Sequence, residues 1–146
     1  MVMRNITKRL QELFEDKDFD KDKLIKHLEL SDETLFYMWK RGDSIPNVIN
    51  LDKICRFFSC SMEYLFGRTE NLGDGIYEEL KSFDEQLKKI RKEKNITHYR
   101  MIYKDKVCSS NNVYKWNKLK AVPTPETVVK LADYFNVSID YLLGRE

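Results

Sequence analysis

At 146 residues, with 42% hydrophobic and 34% charged side chains and few glycines or prolines, the chain is that of a folded protein of one ordinary or two small domains. No apolar run approaches bilayer-spanning length and the start Met-Val-Met-Arg-Asn-Ile is no signal peptide, so the expected location is the cytoplasm, with no membrane partner. Cys55, Cys60 and Cys108 are odd in number and lack CxxC spacing; they read as small apolar residues of a reducing compartment, not as a disulfide framework or zinc site.

The chain repeats itself. A shift of 77 residues aligns 6–69 with 83–146 without a gap, placing Leu10 on Leu87, Tyr37 on Tyr114, Trp39 on Trp116, Pro46 on Pro123 and Tyr64–Arg68 on Tyr141–Arg145. Three segments follow: a first domain at 1–70, a joint with a helical extension at 71–82, and a second domain at 83–146.

Each copy reads as a run of about five short helices, an all-α fold. In the first copy they fall near 6–16, 21–29, 32–40, 48–58 and 61–66, and Glu70–Gly75 is a turn. In the second, Ile76, Leu80, Phe83, Leu87 and Ile90 recur at four, three, four and three, which predicts one helix from roughly 75 to 94. The apolar residues of Ile76–Ser82 are expected to pack against something. Thr97 caps a helix near 98–105. Ser109 or Ser110 caps the next, which hides Val113 and Trp116. Thr124 and Pro125 begin a fourth, Asn136 ends it, and Ser138 caps a last short helix.

The third helix of the second copy, Val107–Trp116 with the basic loop to Pro123, holds the candidate chemistry. Its outward set of Ser110, Asn111, Tyr114 and Lys115 contains no carboxylate. Asparagine can bond adenine at two atoms, lysine can reach guanine acceptors, and serine can take either role. The same pattern also fits an ordinary amphipathic core helix.

The helix–turn–helix, the tryptophan-ended third helix, the basic loop to proline and the ending Leu131-Ala-Asp-Tyr-Phe-Asn-Val-Ser-Ile-Asp-Tyr-Leu-Leu-Gly144 resemble the lambda-repressor-like, Cro-type (XRE) DNA-binding domain. The likeness covers the whole second copy; the first shows it through Trp39–Gly42, Pro46 and Ser61–Gly67. The resemblance implies that the third helix enters the major groove, with Ser110, Asn111 and Lys115 reading bases and Asn112 and Tyr114 beside them. It assigns phosphate contacts to Thr97, His98 and Arg100 and to Asn117, Lys118 and Lys120. Two departures stand out. The family glycine after the tryptophan is kept as Gly42 but replaced by Leu119, so that loop is expected to take another path. Both copies also carry one residue more than usual between the second and third helices.

Charge separates the copies without the family. Lys88–Lys120 holds 11 Lys/Arg against two acids, net +9, whereas Gln11–Asp43 holds 6 against 10, net −4. Phosphates favour the first surface and resist the second, although a basic run also fits a solvated helix face. Asp20 and Asp32 suit helix N-termini, Trp39 and Trp116 read as core anchors, and Tyr64 and Tyr141 as core with a wet hydroxyl. His27 and His98 have no metal spacing, and no catalytic constellation or cofactor motif is present.

The expected function is that of a sequence-specific double-stranded DNA-binding transcriptional regulator, a repressor of phage or mobile-element type in a bacterium as the resemblance implies. A homodimer would read an inverted repeat, and the first copy would supply a protein-binding surface. The alternative is a protein-interaction module on a helix–turn–helix scaffold: an antitoxin, an antirepressor or a phage-encoded inhibitor.

Overall fold

Ile6, Leu10 and Phe14 recur every four residues, so the first helix, α1 (Val2–Phe14), turns one apolar stripe inward. The computed structural model describes residues 2–146, all-helical with no strand among them, in two units: one up to Tyr77, the other Glu78–Glu146. None of these helices is long and apolar enough to cross a membrane.

In the first unit α1 is followed by α2 (Lys21–His27), α3 (Thr34–Arg41), α4 (Val48–Phe58) and α5 (Met62–Leu65). Side chains set the boundaries. The Asp20 carboxylate accepts from the amides of Asp22 and Lys23, and Asp32 accepts from Thr34 at 2.9 Å. Asn47 and Ser61 cap α4 and α5, and Gly42 ends α3 at φ +84°. Phe14, Phe19, Phe36 and Phe58 gather between α1, α3 and α4, with the Phe14 and Phe36 centroids 4.8 Å apart. Trp39 is buried among the core residues, as its place on the apolar face of α3 requires.

In the second unit α6 (Phe83–Lys94) is followed by a π-wound turn (Arg100–Lys104), α7 (Ser110–Lys118), α8 (Pro125–Phe135) and α9 (Ile139–Leu142). Trp116 is buried and meets Phe83 edge-to-face at 4.9 Å, a geometry worth about 0.5–1.5 kcal/mol beyond area burial. Thr124, Pro125, Asn136 and Ser138 stand at the helix ends expected of them. Arg145 and Asp140 form an ion pair buried from solvent on both sides.

Two expectations need correction and a third holds. The helix does not begin near 75: α6 starts at Phe83, and Ile76 is 81% exposed, with no packing of the kind foreseen for it. The amides that a helix would use are taken by the far end of the unit. Glu78 donates to the Arg145 carbonyl at 2.8 Å and Lys81 to that of Leu143 at 3.4 Å. Residues 71–82 are therefore a joint and a tethered strap, with no helical extension. Gly73 and Gly75, both at positive φ, turn the chain just before it.

The second helical segment is no regular α-helix either. Asp105 donates its amide to Arg100, five residues back, so the turn is π-wound. Both units then turn through a left-handed residue at matched positions, Glu29 (φ +58°) and Lys106 (φ +51°). Finally, Leu119 keeps a right-handed backbone at φ −95°, and the left-handed step moves to Lys120 at φ +54°. The loop does take another path, and α7 is one residue longer than α3.

Candidate nucleic-acid interface

Ser109 begins α7. Its hydroxyl accepts from the Asn112 amide at 3.0 Å, while Asn112 Oδ1 accepts from the Ser109 amide at 3.1 Å. This reciprocal cap fixes the rotation of the helix. Ser110, Asn111, Tyr114 and Lys115 stand exposed on one side, and Trp116 is buried on the other. Asn112 is half-buried and its carbonyl oxygen serves the cap, so only its amide donors are left to face a ligand.

The expected phosphate contacts divide. His98, Lys118 and Lys120 are exposed. Thr97 is exposed too, but its hydroxyl accepts from the Arg100 amide at 3.1 Å. Arg100 Nε donates to Asp105 at 3.1 Å, and the Tyr134 hydroxyl donates to the same carboxylate oxygen at 2.6 Å. The Tyr134 bond, with the guanidinium, holds Asp105 below the usual carboxylate range. Asn117 is half-buried and donates through Nδ2 to Asp84 at 2.9 Å, which makes it a support of α6 against α7.

Between α6, His98 and α7 lies an open groove of about 350 Å³. It brings together His98, Ser110, Tyr114, Asn117 and Lys118, and adds two residues that sequence reading did not single out, Lys88 and Arg91. Their place inside the basic window was visible; that they share a face with α7 was not. Asp84 is the one carboxylate of the lining. Burial alone would raise its pKa, but Lys88 Nζ at 3.1 Å and Asn117 hold it below the ordinary value. A carboxylate neutralised in this way leaves the surrounding field positive.

The first unit closes the same face. Phe14 stands where the second unit has Arg91, and it packs on Phe36, which stands where the second has Val113. Lys21, at the place of His98, reaches Glu33 at 3.0 Å and the Tyr37 hydroxyl at 3.0 Å. Those two bonds, Tyr37 first, raise the lysine further above its ordinary range. The ammonium is thus neutralised by its own unit, and just ahead of α3 stand Asp32 and Glu33 where the second unit has Ser109 and Ser110.

A family model described as the Cro/C1-type HTH DNA-binding domain matches the chain over residues 9–70 and again over 86–146. No curated protein and no solved structure matches it. The two matches start 77 residues apart, the same offset as the internal repeat, and between them they span most of the chain. The chain therefore belongs to the Cro/C1-type helix-turn-helix family, as a DNA-binding protein built of two such domains.

Proposed function

We propose that this protein is a sequence-specific transcriptional repressor of phage or mobile-element type that reads the major groove with α7 of its second unit. The observation that carries this reading is the exposed, carboxylate-free row Ser110, Asn111, Tyr114 and Lys115, flanked by Lys118 and Lys120. Those side chains hold the donors and acceptors that base edges require, and the flanking lysines suit phosphates. A homodimer would present two such helices about one helical turn apart to an inverted repeat. The first unit serves as a scaffold and protein-binding half, a role that fits its self-neutralised Lys21 and the acids Asp32 and Glu33 just ahead of α3.

A second reading has the whole chain acting as a protein-interaction module, an antitoxin, antirepressor or phage-encoded inhibitor. Leu35, 41% exposed on α3 between acids and Tyr37, favours it. Enrichment of a random duplex pool on the full chain, across a salt series, separates the two. A short enriched motif with steeply salt-dependent affinity is expected of the repressor. Weak retention without a motif would sink that reading and favour the module.

A further inference from the structure

The groove between α6 and α7 of the second unit is built for more than a backbone phosphate. Its volume of about 350 Å³ is that of a small-molecule site, and Leu87, Val113 and the Tyr114 ring give it an apolar lining that a phosphate group does not need. Lys88, Arg91, His98 and Lys118 stand around that lining. Arg91 is half-buried in the groove wall, a cation set beside that apolar lining.

The repeat supplies an internal control. At the matched positions the first unit carries Phe14 and Phe36, ring against ring, and the Lys21–Glu33 pair, where the second carries Arg91, Val113, His98 and Ser110. On one scaffold, two rings give way to a guanidinium and a smaller side chain, and an ion pair gives way to groups that cannot form one. The exchange opens the space and sets a cation beside it.

We propose that this groove is an effector site for a small organic anion, a carboxylate or phosphate monoester carrying a compact ring. The anionic group pairs with Arg91 and Lys118, and the ring lies against Leu87, Val113 and Tyr114. Because Ser110, Tyr114 and Lys118 also belong to the DNA face, the ligand and the operator compete, and each weakens the other by the same factor. This regulatory part rests on the proposed DNA reading; the binding part does not.

The test uses the full ¹⁵N-labelled chain titrated with phenyl phosphate, benzoate, inorganic phosphate and benzyl alcohol. Saturable shifts of the Leu87, Arg91, Val113 and Tyr114 amides are expected with phenyl phosphate or benzoate. Inorganic phosphate and benzyl alcohol should bind at least tenfold more weakly. Arg91→Met should weaken the organic anions at least tenfold, and Val113→Phe, which copies the first unit, should abolish the shifts. If Arg91→Met does not fold, the exposed variant His98→Ala replaces it, with a loss of at least threefold. No saturable shift with either organic anion overturns the site. So does inorganic phosphate or benzyl alcohol binding as tightly as phenyl phosphate. For regulation, saturating phenyl phosphate should lower affinity for an enriched duplex at least fivefold, and unchanged affinity overturns the competition. A chain that takes the organic anion at these amides but binds no duplex leaves the groove standing and sinks the DNA reading.

Discussion

Lys21 and Glu33 lie 3.0 Å apart in the first unit, and the positions 77 residues further on hold His98 and Ser110, which form no such pair. One scaffold thus spends its cation on its own α3, while the other leaves its basic groups facing outward. The functional division of the two domains follows from that difference and from the rings beneath it.

The first prediction concerns the outward row of α7. Asn111→Ala and Lys115→Ala should each cost about 1–3 kcal/mol of specific DNA binding and relax sequence preference. Lys118→Ala should mainly flatten the dependence of affinity on salt, by about one charge. Lys40→Ala, at the first unit's counterpart of Asn117, should change neither. Fluorescence anisotropy on an enriched duplex over a salt series measures all four. A variant set in which only the first-unit change matters would reverse the assignment of the two domains.

Asn117 gives the second. Its bond to the buried Asp84 predicts a structural role, so Asn117→Ala should lower unfolding free energy by about 1–3 kcal/mol. DNA affinity, measured well below the melting point, should fall less than for Lys115→Ala. A larger loss of binding than of stability would return Asn117 to the DNA face.

Backbone geometry gives the third. Gly42 sits at φ +84°, and a Cβ there would lie 3.2 Å from Thr7 Cγ2, so Gly42→Ala should destabilise the first unit by about 1–2 kcal/mol. Lys120, at φ +54°, is the opposite case. Lys120→Gly should gain up to about 1 kcal/mol, and it should lower the salt slope of DNA binding. Urea unfolding followed by tryptophan emission reports on both, since each unit holds one tryptophan.

The fourth is a pH dependence. Burial and the bond to Asp105 push the Tyr134 phenol up from an ordinary 10 to about 12. The folded state favours the neutral phenol, so this stabilisation is full below pH 10 and is lost as pH rises toward 12. Asp105 acts in the other direction, its contribution being present from the ordinary carboxylate range upward and lost as pH falls below that range through its lowered folded value. Tyr134→Phe should therefore show a shallower alkaline loss of stability than the parent chain. Equal alkaline limbs in parallel urea titrations would contradict this.

Much of the fold was legible because the signals are local or periodic. Ser109, Thr124 and Ser138 sit at the offset an N-cap needs, and Trp39 and Trp116 lie on apolar faces at matched repeat positions. The start of α6 was not legible, since helical spacing runs unbroken from Ile76 while the deciding bonds come from residues 143–145, far along the chain. Nor was the pairing of Asn117 with Asp84, 33 residues apart. The groove escaped for a related reason: it exists because rings are missing at Arg91 and Val113, and a missing ring shows only once the elements are packed. The exposed row of α7 was readable because the Ser109 cap and the buried Trp116, seven residues on, fix the rotation of a short helix.

The tether between the strap and the tail has a consequence of its own. Glu78 and Lys81 bond to the backbone of Arg145 and Leu143, and the Lys81 ammonium adds a bond to the Gly144 carbonyl at 2.6 Å. Both ends of the second unit therefore leave it through one small gap. Such a unit is a natural cassette: it could be circularly permuted, or spliced into a surface loop of an unrelated host, without its four larger helical segments having to part.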